Sequence, residues 1–101
     1  MNYLDIHIPH VTVEVFEGAD YLFLDAIIVD QKQRGNGLGQ QALDKVIHIA
    51  RSKRKALYGY ATDLLGGDIH KLFKWYQDAG FERIDDVLHN EFDNNIVLSV
   101  I

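Results

Sequence analysis

Cysteine is absent from the 101 residues. That excludes disulfides, thiolate metal sites and a cysteine nucleophile, and it agrees with a reducing compartment. Proline occurs once, at Pro9, where it cannot donate to a central sheet ladder. No apolar run approaches the roughly 18 residues that a membrane-crossing helix needs. Positive charge is the minority: ten Lys plus Arg against fifteen Asp plus Glu leave a net charge of −5, which does not favour non-specific nucleic-acid binding. The opening residues MNYLDIHIPH alternate and lack the charged-then-apolar pattern of a signal peptide. A cytoplasmic location is the expectation, with neither nucleic acid nor membrane as a partner.

Hydrophobic residues make up 48% and charged residues 25%, an ordinary balance for a globular protein. The length suits a single domain, residues 1–101, around one modest core. No linker, low-complexity tract or internal repeat divides the chain.

The pattern along the chain is legible. Tyr3 to Ile8 alternates weakly and stops at Pro9. Val11 to Glu17 alternates cleanly, with Val11, Val13 and Val15 on one face and Thr12 and Glu14 on the other. Gly18-Ala19-Asp20 reads as a hairpin turn into a strand from Tyr21 to Val29. The end of that strand, Ala26 to Val29, is apolar on both faces and should be covered on both sides. From Gly37 the period becomes helical, with Leu38, Ala42, Leu43, Val46, Ile47 and Ala50 in one stripe. This helix should fade near Arg51 to Lys55, where cations suit its dipole.

Ala56 to Thr62 is the next strand candidate. Gly66-Gly67-Asp68 breaks the chain, with Asp68 as N-cap. Ile69, Leu72, Phe73 and Tyr76 then mark a second amphipathic helix, ending near Ala79-Gly80. Phe81 to Ile84 is a short strand, Asp85 to Asn95 a polar loop, and Ile96 to Ile101 a final apolar strand able to pair in a homodimer. The order predicts an α/β (α+β) sheet of mixed direction.

The most informative stretch is Arg34-Gly35-Asn36-Gly37-Leu38-Gly39. It joins the Tyr21–Val29 strand to the first helix, so free backbone N–H groups and a helix N-terminus gather at a strand tip. Such a tip suits a phosphate or pyrophosphate, and the glycines let a ligand approach the main chain. The arrangement points to a nucleotide-type cofactor. It is not a P-loop, because no Lys-Ser/Thr follows the glycines, and the spacing of Gly35, Gly37 and Gly39 does not fit a Rossmann fingerprint. The histidines His7, His10, His48, His70 and His89 show no metal-ligand spacing, so no metal is expected.

The same loop resembles the R/Q-x-x-G-x-G/A motif of the GNAT superfamily of N-acetyltransferases. Further on, Tyr76-Gln77-Asp78-Ala79-Gly80-Phe81 is similar to that family's Tyr-x-x-x-Gly-Phe signature. The two motifs come in the family's order, and the resemblance covers about Tyr21 to Ile84. It implies a GNAT-like acyl-CoA N-acyltransferase fold, with mostly antiparallel strands, a V-shaped splay and two main helices. The N-terminal helices found in many members are missing, as in a compact phage or bacterial type.

The resemblance further implies acetyl-CoA as co-substrate. Arg34, Gly35, Asn36, Gly37, Leu38 and Gly39 would hold its pyrophosphate. The main chain of Ile27, Ile28 and Val29 would pair with the pantetheine arm like an added strand. Tyr76 would be the general acid that protonates the departing thiolate. An amine acceptor, on a protein or a small molecule, would attack the thioester directly, the oxyanion being held by a backbone N–H near Val29.

For the general base Asp25 is the first candidate, since its neighbours Phe23 and Ile27 read as buried and could raise its pKa. Asp63 and His70 rank behind it. An Asn often found about seven positions before the tyrosine is replaced by Ile69, which leaves a non-catalytic acyl-CoA-binding or protein-interaction module as the alternative. The basic cluster Arg51, Lys53, Arg54 and Lys55 reads as a solvated helix end, or else as a contact for the coenzyme's 3′-phosphate.

Overall fold

The computed structural model describes residues 2–59, 69–84 and 96–99. Among these, six strands form one sheet in the order β1-β2-β3-β4-β6-β5. They are β1 (Asn2–Tyr3), β2 (Val11–Glu17), β3 (Tyr21–Val29), β4 (Ala56–Gly59), β5 (Glu82–Arg83) and β6 (Ile96–Leu98). Two helices, α1 (Leu38–Lys53) and α2 (Ile69–Asp78), accompany them. Every neighbouring pair is antiparallel except β3 with β4, which is parallel. This is the mixed, mostly antiparallel α/β sheet with two main helices that the sequence predicts. The remainder of the Ala56–Thr62 strand candidate lies outside the described residues, and the V-shaped splay expected at Ile27 to Val29 with it. So do Asp63, the Gly66-Gly67-Asp68 break, the 85–95 loop and the last two residues.

The β2–β3 hairpin has the boundaries that alternation and turn chemistry predict. Its turn closes with the Gly18 N–H donating to the Tyr21 carbonyl at 2.9 Å. By contrast, Tyr3 to Ile8 is not a continuous strand. Only Asn2–Tyr3 pairs with β2, followed by the Leu4 N–H on the Val15 carbonyl and an isolated bridge from Ile8 to Val11. The chain doubles back through Pro9 and His10, which sits at a φ of 66°, so the weakly alternating segment leaves the sheet before its turn.

A second difference lies within β3. Val13 faces Ile27 and Glu14 faces Ala26, but Val15 faces Leu24. Asp25 is therefore the unpaired residue of a β-bulge. Cross-strand partners share a face, so Leu22 and Leu24 point to the side of Val15, and past the bulge Ile27 and Val29 point there instead. The strand end from Ala26 to Val29 is not covered on both sides, for Ile28 is 44% exposed.

β3 connects to parallel β4 through α1, and β4 to β5, parallel to it by way of β6, through α2. Both crossovers step the same way across the sheet, and right-handed connections place both helices on one face. The core lies beneath them. It comprises Ile6 and Ile8 from the segment before the hairpin, Val13, Val15, Leu22 and Leu24 from the hairpin, Ala42, Leu43, Val46, Ile47 and Ala50 from α1, with Leu57, Tyr76, Phe81, Ile96 and Leu98. Leu22, Leu43 and Leu57 have no exposed surface, and burying each stabilises the fold by about 1.5–3 kcal/mol.

The far end of α1 is fastened to the hairpin. Lys55 Nζ donates to Glu17 Oε2 and to the Gly18 carbonyl, both at 2.9 Å, and Lys53 Nζ lies 3.0 Å from the same carboxylate. These hydrogen bonds, first that of Lys55 and then that of Lys53, hold the Glu17 carboxyl below its ordinary value.

Candidate active site

β3 ends at Val29. A short 3-10 turn, Gln31–Gln33, is closed by the Gln33 N–H on the Asp30 carbonyl at 2.8 Å, and the Arg34–Gly37 loop follows, fully exposed. Gly35 and Gly37 adopt φ values of 87° and 77°, a left-handed backbone that costs a β-carbon-bearing residue about 1–2 kcal/mol. A Cβ built on either would meet nothing within 4 Å. The glycines are therefore required by backbone angle, not by crowding, and the space above them is open to a ligand.

Gly37 is the N-cap of α1 and supplies no side-chain cap, and the first turn carries no acidic residue. The first intrahelical bond is the Gln41 N–H on the Gly37 carbonyl, at 3.0 Å. The N–H groups of Leu38, Gly39 and Gln40 come before it and have no helical acceptor. The sequence reading expects an anion cradle here, and the turn is not folded shut against its neighbours. Arg34 turns back so that its Nε–H donates to the Val29 carbonyl at 3.4 Å, which ties the loop to the strand tip.

Along β3, the described pairing with β4 runs to Leu24 opposite Gly59, the last described residue of that strand. Residues 25–29 have β2 as their only strand partner among the described residues. The edge of Ile27, Ile28 and Val29, which the sequence reading expects to receive the pantetheine arm, lies beyond the described pairing. Ile27 also packs against the core, and Val29 is half-buried.

Tyr76 lies in α2 at 8% exposure. Trp75 and Phe81 flank its ring, with centroids 5.0 Å and 5.2 Å away. Burial pushes its phenol above the ordinary value of 10.0, so it stays protonated at neutral pH. The signature around it has a local physical cause. The Phe81 N–H donates to the Tyr76 carbonyl at 3.0 Å and the Gly80 N–H to the Gln77 carbonyl at 2.9 Å, with Gly80 at a φ of 106°. That is a Schellman stop, completed by the Tyr76–Phe81 ring contact. The Tyr-x-x-x-Gly-Phe spacing therefore ends the helix as well as presenting the tyrosine.

Tyr76 and the cradle belong to one region, since Trp75 on α2 hydrogen-bonds Gln40 in the first turn of α1. Neither residue was predicted, because a contact across 35 residues leaves no local pattern. Asp25 behaves differently. It is exposed, and the bulge puts Phe23 and Ile27 on opposite faces of the sheet, so the burial that their spacing suggests is not found. Among the described residues no contact ties Asp25 to Tyr76. His70 sits exposed near the start of α2. Ile69, in place of the family's Asn, opens that helix.

The basic cluster stands at the opposite end of α1, about 24 Å from the cradle for a helix of this length. There Lys53 and Lys55 serve Glu17, too far away to meet a phosphate of the same ligand. Among the described residues no group of three His, Cys, Asp or Glu could hold a metal ion.

The sequence profile of the Acetyltransferase (GNAT) family matches residues 6–65. The chain belongs to the GNAT family. The matched segment contains the bulged strand, the glycine loop and α1, and ends before Tyr76. No curated protein matches the chain by sequence.

Among solved structures, a GNAT-family acetyltransferase from Staphylococcus aureus Mu50 superposes with a TM-score of 0.69 at 19% identity, over 91% of this chain and 60% of that one. The anti-CRISPR protein AcrVA5 superposes at 0.67 with 21% identity, over 96% of this chain and 97% of that one. Naa50 of Arabidopsis thaliana, in complex with the bisubstrate analogue CoA-Ac-MVNAL, gives 0.57 at 18% identity, over 86% and 61%. At these identities the likeness is one of fold. The chain spans three-fifths of the length of the Staphylococcus aureus protein and nearly all of AcrVA5.

Proposed function

We propose that this chain transfers an acetyl group from acetyl-CoA to a primary amine, as a one-domain enzyme of the cytoplasm. The observation that carries this reading is the uncapped first turn of α1 beneath two left-handed glycines. It offers several N–H donors and the positive end of a sixteen-residue helix dipole to a diphosphate. Family membership supports acetyl-CoA as the ligand that brings that diphosphate, and its thioester supplies an activated acetyl group.

The residues present fit such a ligand. The Arg34–Gly39 loop and the first turn of α1 hold the diphosphate, and the main chain of Ile27 to Val29 pairs with an extended arm. Tyr76, kept protonated by burial, donates its hydroxyl proton to the leaving thiolate. Asp25, exposed on β3, takes a proton from the incoming amine, directly or through water.

The acceptor is proposed to be a lysine or N-terminus on a protein ahead of a small amine. The negative net charge attracts a cationic amine. The peptide-bearing analogue bound by Naa50 is consistent with an acceptor of that class.

A second reading, a non-catalytic acyl-CoA-binding or protein-interaction module, is favoured by Ile69 in place of the Asn and by the absence, among the described residues, of a contact between Asp25 and Tyr76. Calorimetric titration with acetyl-CoA, followed by an acceptor screen that reports released thiol, decides between them. Binding with turnover supports the enzyme, and binding with no turnover on any amine supports the module. The absence of measurable binding removes both.

A further inference from the structure

Trp75 and Gln40 belong to different helices, and their side chains meet. The indole Nε1–H donates to Gln40 Oε1 at 2.5 Å, and Gln40 Nε2 donates to Asp44 Oδ1 at 2.9 Å. The two bonds fix the amide between them. Its nitrogen has an acceptor in the carboxylate, and its oxygen has a donor in the indole. One end of this chain of side chains stands on the first turn of α1, where the Gln40 N–H is among the donors without a helical acceptor. The other end is the ring packed 5.0 Å from Tyr76.

The contacts are exposed, so they add little to stability. Their consequence is geometric: they bind the helix that carries the phenol to the helix whose first turn receives the anion. We propose that Gln40 and Trp75 are positioning residues for acyl transfer. Gln40 aims the indole, and the indole holds the Tyr76 ring, so an anion seated on the first turn of α1 also orders the phenol. This inference rests on the acetyl-CoA reading above.

Trp75 is the only tryptophan, so intrinsic fluorescence reports on this contact alone. The test compares wild type, Gln40→Ala, Trp75→Phe and the double variant by coenzyme A titration and by the kcat and KM of acetyl transfer, with tryptophan emission read in wild type and Gln40→Ala. Gln40→Ala keeps its backbone N–H, so its coenzyme A affinity stays within about twofold while kcat falls about tenfold, the scale of a coupling across one hydrogen bond. Its emission moves to longer wavelength as the indole N–H passes to water, and the emission change on adding coenzyme A shrinks. Trp75→Phe, which keeps an aromatic ring against Tyr76, shows the same loss of kcat. The double variant is no worse than the worse single one.

Single variants that turn over at the wild-type kcat overturn the inference while leaving acetyl transfer intact. So do losses that add in the double variant, or a lowered melting temperature with unchanged kcat. A wild type that binds no coenzyme A defeats the acetyl-CoA reading itself.

Discussion

Replacing Gly37 with alanine tests the cradle most directly, because its two effects have different sizes and different causes. At φ 77°, ψ 10° an alanine pays the left-handed penalty, about 1–2 kcal/mol. No atom stands within 4 Å of the added Cβ, so no steric clash enlarges that cost. Thermal unfolding should therefore shift down by roughly 4–16 °C for a domain of this size. Gly37→Asn should fall between alanine and wild type, because asparagine tolerates the left-handed region better.

Gly39→Ala is the control. Gly39 lies inside α1 without a positive φ, and its Cβ would rest 3.7 Å from Val29 Cγ2, an ordinary contact. That variant should be as stable as wild type or more so, by up to about 1 kcal/mol. If the open space over Gly37 is where a diphosphate meets the main chain, Gly37→Ala must also lose acetyl-CoA affinity by more than its stability loss explains, at least about tenfold in Kd. Chemical denaturation and calorimetry on the three variants give both quantities. Equal stability of Gly37→Ala and Gly39→Ala would refute the backbone argument, and undiminished binding by Gly37→Ala would refute the placement of the anion.

Tyr76→Phe should retain acetyl-CoA affinity and thermal stability while turnover drops by about 10²-fold or more; wild-type turnover would remove the phenol from the chemistry. Since burial raises the Tyr76 pKa, the wild-type rate should show no alkaline fall from this group below about pH 10, as a pH–rate profile would reveal. Glu17 titrates below its unfolded value, so its ion pairs with Lys53 and Lys55 contribute stability above about pH 4.5 and lose it as pH falls through the folded pKa. Melting temperatures from about pH 6 to pH 3 should therefore drop more steeply for wild type than for Glu17→Gln. Arg54 occupies a left-handed position, φ 54°, at the end of α1. Arg54→Gly should raise stability by about 1 kcal/mol in denaturant titration, unless the arginine side chain provides a compensating contact.

The parts legible in the sequence are those specified by neighbours along the chain. Val11 to Glu17 and Tyr21 to Val29 announce themselves by alternation around a glycine turn. α1 shows its stripe from Ala42 to Ala50, and the glycine loop shows its role by lying between the two periodicities. What could not be read depends on partners distant in sequence. An unbroken period of two would shelter Asp25 between Phe23 and Ile27, whereas the register of β2 makes it the extra residue. Tyr3 to Ile8 alternated, yet the turn through Pro9 and His10 draws most of it out of the sheet. The Gln40–Trp75 contact joins two helices whose separate patterns say only that each is amphipathic.

The odd residue in β3 shapes the ribbon without being needed to fill the interior. Excising Asp25 would leave Leu22, Leu24, Ile27 and Val29 all directed inward, because the shortened strand would resume a regular step. Such a deletion would keep its oily layer and lose its bend. Folding and ligand capture could then be pulled apart in a single experiment, with a melting curve near the parent's beside a weakened hold on coenzyme A.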